Sequence, residues 1–324
     1  MDVAFKVIYN VALLFIMMIP GILMKKCKLS VDGFGKGISN LVLYIAQPAL
    51  VFMAYVRPFA KEILINSLYV LGLSMIVHGV FSVVALMSYK KAPDSMRRML
   101  RFATIFSNAA FMGMPLIKAV FGTEATVYAS IYNITFNLFL WSLGVYICTD
   151  KRDVNENGIE DDEEHIKQGA SPLKALYHPV TIAAVLGLIF FILPIEGYIP
   201  KIAIETLENL GNLVAPLSMM VIGLRLADMS FKGVLKDKHM YVFLALRHII
   251  LPLVTLGIVK LVGLVLPVHE LVEMVIVTLA AAPAATSATM FAEKYDCDAN
   301  YVSRLVTVST LLSIATMPLI IMLV

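Results

Sequence analysis

Charge is scarce in this chain. Asp, Glu, Lys and Arg make up 15% of it, where soluble domains carry about 25%. The net charge is only +3, so no nucleic-acid partner is expected. Cysteine is nearly absent. Cys27, Cys148 and Cys297 stand far apart, without metal-ligand spacing, and nothing in the sequence pairs them. No Gly-x-x-x-x-Gly-Lys-Ser/Thr loop, His-Glu-x-x-His or Gly-x-Ser-x-Gly occurs. ATP-driven transport by this chain, zinc peptidase chemistry and serine hydrolysis therefore have no motif to rest on. No enzyme and no cofactor are expected.

Apolar sequence takes the place of charge. The chain is 60% hydrophobic, with mean hydropathy +0.85. A spanning helix needs about 20 mostly apolar residues, and this length recurs. An all-α polytopic membrane protein is expected, with ten spans near 4–24, 35–56, 63–88, 99–121, 125–148, 178–195, 204–226, 240–266, 270–292 and 300–323. The first run lacks a basic leader and a small-residue cleavage site, so it reads as a retained span. Residues 149–176, TDKRDVNENGIEDDEEHIKQGASPLKAL, form a polar, acidic linker.

Lysine and arginine cluster in alternate loops: Lys25, Lys26, Lys28 and Lys36; Lys90, Lys91, Arg97, Arg98 and Arg101; Lys151, Arg152, Lys167 and Lys174; Arg225, Lys232, Lys236, Lys238 and Arg247. Positive loops stay cytoplasmic. That rule puts the linker inside and both termini outside.

The linker separates five spans (1–148) from five (177–324). Pro48 precedes Arg57 by nine residues in the first half, and Pro216 precedes Arg225 by nine in the second. An odd number of spans per repeat inverts the second copy, as in many secondary transporters. Spans four and nine also correspond. Span four carries SNAAFMGMP (107–115) and span nine AAAPAATSATM (280–290).

Proline lacks an N–H and crowds the carbonyl four residues back. Pro115 and Gly113 in one span, and Pro283 in the other, thus predict interrupted helices. Such breaks survive in hydrocarbon only where protein or water satisfies the backbone. Half-helices starting there offer free N–H groups and a positive dipole end to an anion. The candidate substrate-binding residues are Asn108, Ala109, Gly113 and Pro115 in span four and Pro283, Ala284, Thr286 and Ser287 in span nine, with Thr289 nearby. Asn133 and Asn137 in span five could face the breaks, as could Thr135 there and Thr307, Ser309, Thr310 and Ser313 in span ten. Helix–helix glue is the alternative role.

The segments LYIAQPALVF (43–52), SNAAFMGMPLIKAVFG (107–122), LVAPLSMMVIGLRL (213–226), APAATSATMFAEKY (282–295) and VTVSTLLSIATMPLI (306–320) resemble the auxin efflux carrier family. That family includes plant PIN carriers and bacterial malate or malonate permease-like proteins, and the bacterial kind is the better match. The resemblance implies a homodimeric, elevator-type carrier. Spans one, two, six and seven would form its scaffold, and spans three to five and eight to ten its transport unit. Broken helices four and nine would cross at the centre and bind an organic anion. The chain departs from the plant pattern in two places. Ser107 stands where plant members have proline, and Ala284 where they have a polar amide. A small carboxylate such as malate or malonate is therefore expected before an auxin-like aromatic one.

Intramembrane ionisable residues invite functional readings. His78 in span three and His248 in span eight are candidates for a coupling proton. Lys118 offers either an anion contact or a snorkelling boundary charge. Asp153, Asn155, Asn157, Gly158 and Glu164 fit a calcium-loop pattern, but Ile159 and Glu160 shift its apolar position by one. A membrane-bound ligand sensor is the alternative class. A channel would need a polar stripe along several helices, whereas the polar residues here cluster at mid-span.

Overall fold

The structure is a computed structural model that describes residues 3–31, 33–149, 173–193, 199–227, 237–295 and 297–324. The linker positions 150–172, including the calcium-loop candidates Asp153, Asn155, Asn157 and Glu164, lie outside the described residues.

Among the described residues, seven helices are long and apolar enough to cross a membrane: Phe5–Lys26 (α1), Phe34–Tyr55 (α2), Lys61–Met87 (α3), Thr123–Cys148 (α6), Lys201–Ala227 (α8), Lys238–Gly263 (α9) and Ala299–Ile321 (α12). The other three expected spans differ. The fourth is two pieces, Asp94–Ile105 (α4) and Ala109–Phe121 (α5). The sixth is the shorter apolar helix Pro179–Ile192 (α7). The ninth is two pieces, Glu270–Ala281 (α10) and Ser287–Lys294 (α11). Among the described residues there is no strand, only one isolated antiparallel bridge, Ser107 to Ala284.

The solvent preference of the surface is inverted. Phe5, Ile16, Leu68, Val83, Ile249 and Leu319 are exposed, while Ser74, Thr104, Ser130, Thr278, Ser309 and Ser313 are fully buried. An exterior of this kind suits lipid, where backbone groups must be satisfied within the helix.

Three prolines are absorbed rather than breaking their helices. Pro48, Pro115 and Pro252 each follow a π-helical turn, at Val42–Ala46, Ala109–Gly113 and Leu246–Ile250. The residue just before each proline donates its N–H five residues back, to Val42, Ala109 and Leu246. The widened turn makes room for the proline ring, which an α-turn would push against the carbonyl four back.

Packing follows small residues. A Cβ on Gly21 would meet the Met220 carbonyl oxygen at 2.2 Å, and one on Gly223 would meet the Met18 carbonyl oxygen at 2.1 Å. Two glycines thus let α1 and α8 touch backbone to backbone, as small residues do in membranes. Helix α2 packs on α7 and α8, and α3 on α6. The second half of α9 packs on α10, and α10 and α11 pack on α12.

Candidate functional site

The two interrupted segments satisfy each other. Asn108 N–H donates to the Pro283 carbonyl at 2.7 Å, and Ala285 N–H donates to the Phe106 carbonyl at 2.9 Å. Ala284 N–H donates to Ser309 Oγ at 2.9 Å. The crossing is therefore a two-bond antiparallel bridge between non-helical stretches, tied to α12 by a serine. Unpaired, each group would cost several kcal/mol in hydrocarbon.

The break in span four lies one turn earlier than the proline rule predicts. It falls at Phe106–Asn108, ahead of the π-turn, and Pro115 sits in the first turn of the α-helical part that follows. Gly113 is helical, with φ −63°, so its flexibility is not what is used. A Cβ there would meet Leu279 Cδ2 at 2.6 Å, so it allows close packing. Pro283 does sit within its break.

A cavity of about 180 Å³ adjoins the crossing. Ser107, Asn108, Asn133, Asn137, Thr286 and Ser287 line it, as do Gln47 and Trp141. Several of these carry buried polar atoms without a hydrogen-bond partner: Ser107 Oγ, Asn108 Nδ2, Ser287 Oγ, Gln47 Oε1 and Trp141 Nε1. Buried polar atoms are normally paired, and an orphan calls for a reason. Asn108 is informative here. Its main-chain oxygen accepts from Met112 and Gly113 at 3.2 and 3.0 Å, so its backbone caps α5 while its Nδ2 has no partner. Ser107 lies beside the Tyr132 hydroxyl. Asn133 Nδ2 donates back to the Ala129 carbonyl at 2.9 Å. Much of the remaining wall is apolar, with Leu43, Phe111, Phe136, Leu140, Met290 and Phe291, and Ser39, Tyr44, His178 and Arg225 also line it.

The electrostatics divide in two. Helices α5 and α11 begin at the crossing, each with a positive end of about half a charge. Helices α4 and α10 end there, each with a negative end of similar size. Arg247 meets those negative ends. Its Nε donates to Ala282 O at 3.1 Å, and its terminal nitrogens donate to Thr104 O at 3.1 Å, Ala280 O at 2.7 Å and Ala282 O at 2.7 Å. Its side chain is 0% exposed. Among the described residues it has no carboxylate partner. The Phe81 ring centroid lies 5.6 Å from its guanidinium. An arginine at mid-span costs roughly 2.5–3.5 kcal/mol on insertion scales, and the four carbonyl bonds offset that. Among the described residues, no acidic side chain lines the cavity where the positive ends meet.

Two arginines counted with the cytoplasmic loops lie within helices. Arg247 is ten residues into α9, and Arg225 is in the last turn of α8. Arg225 lines the cavity and donates to Thr286 O at 2.7 Å and to Thr289 Oγ1. The expected span 240–266 encloses Arg247, and that was the available signal. Gln47, Trp141 and Arg225 had none beyond the Pro–Arg repeat.

Other expected residues stand outside the cavity. Ala109, Gly113, Pro115, Pro283 and Ala284 shape the backbone behind it and do not line it. His78 Nδ1 bonds to Ser74 O at 2.8 Å and the ring packs among Tyr132, Phe136 and Phe139. His248 reaches the crossing indirectly. Its Nε2 meets Ser309 Oγ at 2.8 Å, the hydroxyl that also holds Ala284 N–H, and its Nδ1 meets Thr316 Oγ1 at 2.9 Å. Thr135 accepts from Ser74 at 2.8 Å. Lys118 donates to Asn212 Oδ1 at 2.9 Å, away from the cavity.

A larger space of about 870 Å³ shares Ser39, Trp141, Arg225, Met290 and Phe291 with the cavity and adds Lys36, Glu293 and Lys294. Cys297, beyond Lys294, approaches the Cys148 carbonyl. The vestibule thus opens on the side where the acidic linker begins.

The sequence profile of a family described as membrane transport proteins matches residues 6–321. An uncharacterized transporter of Methanothermobacter thermautotrophicus is 27% identical over 288 residues, covering 87% of this chain and 86% of that protein. An uncharacterized transporter of Methanocaldococcus jannaschii is 21% identical over 314 residues, covering 95% and 96%.

Proposed function

The chain belongs to the membrane transport protein family, that of the auxin efflux carriers, and from that premise we propose that it is a secondary transporter of small organic carboxylates such as malate or malonate. One observation carries this reading: unpartnered Asn108 Nδ2 and Ser287 Oγ in a buried cavity where two positive helix ends converge. A carboxylate supplies acceptors for both groups and about one negative charge for the two ends. Arg225 adds a permanent cation to the same wall.

The motion proposed is an elevator. Ten spans would form two inverted repeats of five. Helices α1, α2, α7 and α8 would make the scaffold and dimer face. The remaining helices would carry the crossing past it. Mutual packing of α2 with α7 and α8, and of α1 with α8, supports that grouping. Gln47, from α2, and Arg225, from α8, meet the crossing from the scaffold side, so their bonds to Ala110 O and Thr286 O would break during the movement. The protein would sit in the cytoplasmic membrane with both termini outside. Its vestibule would then face the cytoplasm. A coupling proton would use His248, whose link through Ser309 ends on the bridge.

The apolar wall favours a second substrate, a carboxylate with an aromatic body. A thermal-shift panel on purified protein separates the two, because a ligand stabilises the state it binds. Malonate and malate raising the midpoint more than indole-3-acetate supports the first reading, and the reverse order supports the second. No shift from any carboxylate at millimolar concentration refutes both.

A further inference from the structure

We propose that Arg247 is a resident cation occupying the place a monovalent metal ion would take at the crossing, so that the protein binds no sodium or potassium there. Carbonyl oxygens at the C-terminal ends of broken half-helices are the atoms that coordinate coupling cations in transporters. Here the oxygens of Thr104, Ala280 and Ala282 all accept from one guanidinium. They come from the ends of both α4 and α10. Two half-helix ends sum to about one negative charge, which one guanidinium matches. Arginine keeps its proton at any working pH, so this cation does not leave. The group is sealed: it is fully buried, with Phe81 beside it. Its partners are α4 and α10, so it stays with the crossing wherever the crossing moves. A metal ion at these oxygens would have to displace the side chain.

The inference concerns the empty protein and needs no substrate, so it stands apart from the carboxylate reading. The experiment is thermal unfolding of the purified full-length protein at fixed ionic strength in sodium, potassium and choline chloride. Wild type is expected to unfold at the same midpoint in all three. A wild-type midpoint several degrees higher in sodium or potassium than in choline would overturn the proposal. Arg247→Ala opens the carbonyl cage and is expected to lower the midpoint by about 10 °C. Guanidinium chloride at a sub-denaturing concentration is expected to restore part of that loss, and urea, its neutral analogue in shape, is expected to restore none. Equal responses to guanidinium and urea would reduce Arg247 to a packing role and sink the idea. Should Arg247→Ala not fold, Arg247→Lys and Arg247→Met make the same comparison: the charged variant must be the more stable, and parity contradicts the proposal.

Discussion

Asn108→Ala separates binding from folding, because the two use different atoms of one residue. The fold uses the backbone of Asn108: its N–H on Pro283 O and its carbonyl under Met112 and Gly113. Alanine keeps all three bonds. The side-chain amide has no partner for Nδ2, so removing it deletes a buried orphan that costs about 1–3 kcal/mol. Stability should stay level or rise. Binding should move the other way. A charge-assisted hydrogen bond to a carboxylate is worth about 1.5–3 kcal/mol, which is roughly a 10- to 150-fold loss in affinity. Isothermal titration with whichever of malonate, malate and indole-3-acetate stabilises the wild type most reads the binding, and thermal unfolding reads the fold. An affinity within about twofold of wild type removes Asn108 from the site. A midpoint lower by more than about 5 °C shows instead that the amide was structural.

Ser309→Ala strands Ala284 N–H and His248 Nε2, and should destabilise by about 1–3 kcal/mol, read as a lower unfolding midpoint. Gly223→Leu drives a side chain into the Met18 carbonyl and should cost about 1–3 kcal/mol or more, while Gly37→Ala, where nothing lies within 4 Å, should leave the midpoint unchanged or higher. Arg225→Met removes the bonds to Thr286 and Thr289 and should weaken carboxylate binding by roughly tenfold, measured by titration. His248→Asn should remove the dependence of uptake on an imposed proton gradient if the proton runs through Ser309, and an unchanged dependence assigns the proton elsewhere.

Much of the fold was legible because its signals are long. Apolar runs of about 20 residues marked the continuous helices. The pairing of 107–115 with 280–290 marked both interruptions. What the sequence misplaced was the interruption itself. Proline reads as a breaker, yet Pro115 is accommodated by a π-turn, and the break moved to Ser107 and Asn108. Register within a helix is a tertiary outcome that no local rule supplies. Arg225 and Arg247 were misread for a related reason. Loop counting treats a basic residue near a span boundary as solvated, whereas each here ends on carbonyls of the ninth-span break. Gln47 and Trp141 enter the cavity from distant helices, and nothing local distinguishes them from packing residues.

The most direct measurement is carboxylate flux in proteoliposomes. Wild-type protein should take up labelled malonate or malate along a saturable curve, and Asn108→Ala should cut uptake at low substrate about tenfold or more. Uptake no greater than in protein-free vesicles, for these and for aromatic carboxylates, contradicts the account.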